Sequence, residues 1–313
     1  MEQKVAGPKT EHARRLTVGL KLLILNFLLP VLVIAGVAVF SYSSQYSKAV
    51  ENSKTNTLNS GRLLSKEVYA YLNAQFKTIQ TSALTLHEYA ALTTLPQSKE
   101  DYSTPGPIKD LVADLTRIKK SNSSFASLYL GLAASPGLVL DTWDELPPNY
   151  DARKRPWYLG AINKPRTDEY PFVSEPYATA AGSLQGAIVL SITQALYNEE
   201  DRPIGVFGAD MDLSVLLDSL KAESAKQNVR IILFSRDTGM TIYHPNYTLA
   251  DQKTIKAIFD DVGIKDPGGE IEKAMRQNKE QAVRYSRPDL GSLLGYTFPI
   301  DGTSWSLLIT VAD

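Results

Sequence analysis

Cysteine is absent from this chain. That excludes thiolate zinc sites, disulfide staples and cysteine nucleophiles. Histidine is scarce: His12, His87 and His244 are the only ones, and none has a metal-ligand spacing such as H-E-x-x-H. No G-x-S-x-G nucleophile elbow and no phosphate-binding glycine-rich loop occurs. The carboxylate pairs Asp260–Asp261 and Glu199–Glu200 read as solvated loops. An enzyme, a metal site and a cofactor are therefore not expected. Excess charge is missing too: 33 Lys and Arg stand against 34 Asp and Glu. Without a net basic footprint, nucleic acid is not an expected partner.

Proline is missing between Pro30 and Pro96. Within that stretch two patterns follow one another. Leu22 to Phe40 is an almost unbroken apolar run, close to the ~20 residues that cross a bilayer as a helix. Asn26 and Pro30 interrupt it, and transmembrane helices tolerate both. Lys4, Lys9, Arg14, Arg15 and Lys21 precede it. The excess of positive charge on that side predicts a cytoplasmic N-terminus over 1–21, a span over 22–41, and everything later outside a bacterial inner membrane. A cleaved signal peptide is the alternative, but its apolar core is shorter than this run.

After the span, Leu64, Val68, Tyr71, Gln75, Ile79, Ala83 and Leu86 recur at steps of three and four. This predicts one long amphipathic stalk helix over 42–95. Residues 96–107 are rich in turns, and Ile108 to Lys120 again has helical spacing. The pattern then changes to short apolar runs of β type: Ala126–Leu132, Leu138–Leu140, Gly186–Thr193 and Ile204–Met211. A second set follows: Val229–Phe234, Thr241–Tyr243, Gln281–Tyr285, Leu293–Phe298 and Trp305–Val311. Helices are expected over Leu213–Gln227, Asp251–Phe259 and Gly269–Lys279. The two sets resemble each other, each opening with a strand, a turn and a short strand and closing with a strand pair. We read an α+β chain: a long N-terminal helix, then two tandem modules (96–224 and 225–313) with antiparallel sheets.

Tyrosine is abundant, 16 against nine phenylalanines, which suits a polar pocket. The densest polar-aromatic segment is Tyr150 to Tyr158, containing Arg155, Trp157 and Tyr158. It follows the Pro147-Pro148-Asn149 turn, and Pro156 is placed to open a short helix through Ile162. Such a loop-to-helix junction can aim a guanidinium, an indole N–H and two phenols into one pocket. Equally, it can be a basic turn with aromatics packed underneath.

This segment resembles the signature of double Cache (dCache) sensor domains of bacterial chemotaxis receptors, in the version that binds amino acids. That motif runs Tyr, four residues, Arg, one residue, Trp-Tyr, then a later Tyr and a later Asp. Tyr150, Arg155, Trp157 and Tyr158 match at those spacings. Tyr177 best matches the later Tyr, with Tyr170 as rival, and Asp210 the later Asp, with Asp212 as rival. Alternation along a strand puts 210 and 212 on the same side and leaves that choice open.

The resemblance implies two PAS-like Cache modules, the ligand in the membrane-distal one, and a homodimeric membrane receptor. It implies that Arg155, Trp157 and Tyr177 hold an amino-acid carboxylate while Asp210, helped by Tyr150 and Tyr158, holds the ammonium. Chemotaxis is the expected output, with a histidine kinase or a cyclic-dinucleotide enzyme as the alternative. Other small ligands for the same fold are an organic acid, an amine or a purine. Side-chain selectivity is expected in the loops near Asp141–Asp144 and Thr179–Ser183.

Overall fold

The computed structural model describes residues 18–93, 95–180 and 185–312. Lys4, Lys9, Arg14 and Arg15, on which the expected cytoplasmic N-terminus rests, lie outside the described residues. So do residues 181–183 of the expected selectivity loop. The chain forms two compact units, 1–56 and 57–313.

The described part of the first unit, residues 18–56, is helical. Helix α1 (Val18–Leu23) passes through a π-helical turn at Ile24–Leu28 into α2 (Leu29–Leu86). Pro30 lies just after this turn. Its missing N–H and its ring clash with the preceding turn disturb the regular hydrogen-bond ladder. Phe27, Leu32, Ile34, Val37 and Phe40 are all exposed. This is one helix long and apolar enough to cross a membrane.

In the second unit α2 presents a buried stripe of Leu64, Val68, Leu72, Phe76, Ile79, Ala83 and Leu86. The expected stripe ran through Tyr71 and Gln75; the true centre is Leu72 and Phe76. Seven residues of an ideal helix fall short of two full turns, so the buried face drifts along a long helix. Gln75 is still buried, and its Oε1 accepts from Asn122 Nδ2 at 2.5 Å. Regular α-helix ends at Leu86 rather than near residue 95. A 3₁₀ turn, His87–Ala91, tightens the chain so that Ala90 docks against Gly205.

Helix α3 (Pro107–Ser121) opens with proline at its first position, where the lost N–H costs nothing. Strands β1 (Phe125–Leu132) and β2 (Leu138–Leu140) follow, then the short helix α4 (Pro156–Asn163). Next come β3 (Phe172–Val173), β4 (Tyr177–Ala178), β5 (Ile188–Val189), β6 (Ser191–Tyr197) and β7 (Pro203–Met211). The first sheet has the order β2-β1-β7-β6-β3, with every pair antiparallel. The continuous strand expected over Gly186–Thr193 is divided at Leu190. Before it β5 pairs with β4; after it β6 pairs with β7 and β3.

Helix α5 (Ser214–Gln227) closes on Asn228 in the left-handed region, where asparagine is tolerated. The second sheet contains β8 (Arg230–Ser235), β9 (Thr241–Tyr243), β10 (Gln281–Arg287), β11 (Gly291–Pro299) and β12 (Trp305–Ala312), in the order β10-β11-β12-β8-β9. Helices α6 (Ile255–Asp261) and α7 (Glu270–Met275) lie between β9 and β10. Asp260 and Asp261 thus end a helix rather than occupy a loop.

Alternation along the strands divides the core. Leu128 and Leu130 of β1 and Leu307 and Ile309 of β12 join the α2 stripe in one continuous core. Tyr129 faces the other way, into a cluster with Trp157, Tyr158 and Val206. The outer face of the second sheet is filled by Ile232, Phe234, Phe259, Met275 and Leu308.

Helix α2 approaches the second sheet closely at one glycine. A Cβ on Gly61 would lie 2.1 Å from the buried Phe298 ring. Alanine would raise helix propensity by about 1 kcal/mol, but overpacking a filled core costs about 1–3 kcal/mol. Gly61→Ala is therefore expected to lower the melting temperature, and a calorimetric scan of the variant beside wild type checks the sign.

Candidate functional site

The Tyr150–Tyr158 segment owes its shape to local chemistry. Asp151 accepts from the Arg153 backbone N–H at 3.1 Å and starts a single 3₁₀ turn over Ala152–Lys154. Arg155 is extended, with φ −79° and ψ 148°, because the ring of Pro156 disfavours helix in the residue before it. Pro156 then opens α4. Arg153 pairs with Asp151 (2.9 Å), so Arg155 is the arginine of this turn that is turned toward the sheet.

Five of the six residues expected at the site line one cavity: Tyr150, Arg155, Trp157, Tyr177 and Asp210. Tyr129, Leu138, Leu140, Thr179 and Ala180 complete its wall. The cavity is narrow, its walls standing close together. The sixth, Tyr158, is buried in the adjoining cluster with its ring edge-on to Trp157 at 5.5 Å. It supports the wall from behind, because successive residues of α4 diverge by about 100° around the helix axis.

The rival positions separate cleanly. Strand β7 ends at Met211, so alternation does not extend to residue 212. Asp212 is exposed and accepts from the Ser214 backbone N–H at 2.9 Å, at the start of α5. Tyr170 packs against Tyr69 and Phe76 of α2, away from the cavity lining.

Asp210 is the electrostatic centre. It is 4% exposed, and its Oδ1 accepts from Ser191 Oγ (2.6 Å), Tyr129 OH (2.8 Å) and Tyr177 OH (3.1 Å). Among the described residues it has no cationic partner. Burial pushes its carboxyl pKa up, and the three hydroxyls pull part of the way back. The tyrosines respond in kind. Burial and the Asp210 charge push Tyr129 and Tyr177 well above the usual phenol value. Burial also pushes Tyr150 up to about 12, against the pull of Arg155 and Trp157. All three phenols therefore stay protonated donors at neutral pH.

Across the cavity, Arg155 Nη2 donates to the Ala178 carbonyl at 2.8 Å, and its guanidinium carbon stands 5.6 Å from the Tyr177 ring centroid. Among the described residues it forms no ion pair. The site thus joins one guanidinium without a counter-anion to one buried carboxylate without a counter-cation.

Tyr129 and Ser191 were not legible in the motif. Strand register brings both to Asp210: Ser191 pairs with Asp210 directly, and Tyr129 pairs with Gly208, two residue pairs along the ladder. A Cβ on Gly208 would lie 2.5 Å from the Tyr129 ring, so glycine there leaves room for that phenol. Only strand register could have found them. A wider groove of about 450 Å³ lies between α2 and β6. It contains none of the six expected residues.

The Cache domain family model matches residues 43–313. The chain is similar to the ligand-binding domain of the Pseudomonas fluorescens chemoreceptor CtaA in complex with L-isoleucine. The identity is 22% and the TM-score 0.62, over 86% of this chain and 96% of that one. It is also similar to the ligand-binding domain of the Pseudomonas aeruginosa amino-acid chemoreceptor PctC in complex with GABA (22%, TM-score 0.57, 81% and 96%). The ligand-binding domain of Mlp24 with asparagine is a third (20%, TM-score 0.56, 84% and 94%). These likenesses concern the fold.

A carboxyl whose pKa is raised on folding stabilises the folded protein in its protonated form. Ligand-free stability should therefore be lowest when Asp210 is ionised, and should recover that cost as pH falls through its raised pKa. Asp210→Asn keeps an oxygen for the three hydroxyls and removes the buried charge. It is expected to raise the melting temperature of the ligand-free protein at pH 7, with a smaller difference near pH 4.

Proposed function

Because the chain belongs to the Cache domain family, we propose that it is the sensing region of a bacterial membrane receptor that binds a free L-amino acid and signals in chemotaxis. One observation carries the proposal. A buried carboxylate and a guanidinium, neither with a charged partner among the described residues, line the same narrow cavity. An α-amino acid brings one charge of each sign. An organic acid would leave Asp210 unpaired, at the high cost of an unmatched buried charge, and an amine would leave the half-buried guanidinium of Arg155 without the anion its planar fork is shaped to take.

In this reading Arg155 grips the carboxylate with its planar fork, each charge-assisted bond contributing about 1.5–3 kcal/mol. The Trp157 indole N–H and the Tyr150 hydroxyl complete that end; Tyr150 takes the place expected for Tyr177, whose hydroxyl reaches Asp210 instead. Asp210 receives the ammonium, and the hydroxyls of Tyr129, Tyr177 and Ser191 hold the carboxylate rotamer ready for it. Preorganisation of this kind strengthens binding, because little ordering remains to be done. Tyr158 acts only through Trp157. The related structures named above hold L-isoleucine, GABA and asparagine, all of which carry both charges.

The apolar helix at the N-terminus is the membrane anchor, with lipid covering the exposed Phe27–Phe40 surface. The module of the first sheet is membrane-distal and that of the second sheet membrane-proximal. The receptor works as a homodimer. Closure of the cavity on ligand shifts the long helix α2 slightly, a small sliding motion of packed elements.

Calorimetric titration of the full chain in nanodiscs with the twenty common L-amino acids should find at least one binder. Its N-acetyl and C-amide derivatives should bind at least about 100-fold more weakly, since removing one partner of a buried charge pair costs about 3–5 kcal/mol. Arg155→Ala should abolish binding and Asp210→Asn should weaken it by a similar factor. Equal affinity of the amide derivative would rule out a carboxylate at Arg155.

A further inference from the structure

The strip carrying Tyr177 is held from two directions. On one side it is stitched to the first sheet's own strands. Ser174 N–H donates to the Ser191 carbonyl (2.9 Å), Ser191 N–H donates to Ser174 Oγ (2.9 Å), and Thr179 N–H donates to the Ala187 carbonyl (2.9 Å). On the other side a single carboxylate, Glu175, leaves the strip and reaches the second sheet. Its Oε1 accepts from Ser235 Oγ at 2.5 Å, and its Oε2 accepts from Thr238 Oγ1 at 3.0 Å. Ser235 ends β8 and is fully buried; Thr238 lies in the β8–β9 turn.

Position makes this contact consequential. Glu175 falls between β3 and β4, where the chain changes pairing partner from β6 to β5. Two residues later the Tyr177 hydroxyl touches Asp210, and three residues later the Ala178 carbonyl holds Arg155. Both ends of the charged cavity therefore lean on this short strip. The anchor at the far end is rigid. Ser235 pairs with Trp305 of β12, Arg236 Nη2 donates to the Thr303 carbonyl (2.8 Å), and Arg276 Nε donates to the Arg236 carbonyl (2.5 Å).

We propose that Glu175 is a positioning residue that couples the amino-acid cavity to the second sheet. It sets the pose of Tyr177 and Ala178 from Ser235 and Thr238, and it carries ligand-induced movement of that strip to the β8–β9 turn and to β12. The proposal rests on the amino-acid reading above. It adds that the second sheet, which lends no residue to the cavity lining, contributes to affinity.

A double-mutant cycle tests it, again by calorimetry on the full chain in nanodiscs with the twenty L-amino acids as probes. Glu175→Ala, and Ser235→Ala combined with Thr238→Val, should each weaken the tightest binder by about tenfold, as expected for loss of hydrogen bonds to a charged group. The triple variant should be no weaker than the weaker of the two, because both remove the same link. Glu175→Gln, which keeps an acceptor, should restore most of the affinity. Hydrogen exchange at residues 236–239 should slow on adding that amino acid to wild type and stay unchanged in Glu175→Ala. Multiplied losses in the triple variant, or ligand-induced slowing that persists in Glu175→Ala, would overturn the coupling. Failure of wild type to bind any amino acid would instead overturn the functional reading.

Discussion

A carboxylate removed from water has to be solvated by something, and at Asp210 that task falls to three hydroxyls. Ser191, Tyr129 and Tyr177 all donate to Oδ1, yet no cation completes the set among the described residues. Hydroxyl dipoles offset only part of the desolvation, which is why burial still raises the carboxyl pKa. The arrangement is unfavourable for the empty protein and favourable for one that receives an ammonium. In the proposed reading, stability and recognition are in opposition at this residue.

Much of the surrounding architecture serves that carboxylate. Gly208 leaves space for the Tyr129 ring, and the break at Leu190 frees β4 and β5 to form a separate ribbon that brings Tyr177 over the cavity. Pro156 holds Arg155 in extended backbone so that its side chain crosses to Ala178. The second sheet shows the contrast. Its corresponding outer face is packed with Ile232, Phe234, Phe259 and Met275. One topology, used twice, gives one face with a charged cavity and one face packed with apolar side chains.

Helix α2 joins the two sheets through a single buried stripe, from Leu64 to Leu86. Close-packed cores transmit displacement because they have little free volume to absorb it. The Gly61–Phe298 approach and the Glu175 link are two tight contacts to the second sheet, one apolar and one polar. Movement at the cavity therefore has a packed route and a hydrogen-bonded route toward β11 and β12.

Several features were legible in the amino-acid sequence alone. Apolar periodicity marked the long helix, the β-type runs marked nearly every long strand, and the spacing from Tyr150 to Trp157 marked the cavity wall. These are local properties, set by side-chain period and turn chemistry within a few residues. Tertiary structure alone decided the rest. Strand β7 stopping at Met211 separated Asp210 from Asp212, and packing on α2 removed Tyr170 from contention. Register across three strands brought Tyr129 and Ser191 to Asp210, while the turn of α4 placed Tyr158 behind the wall instead of in it. Such choices depend on which strands become neighbours, and neighbours distant in the chain leave no periodic trace in it.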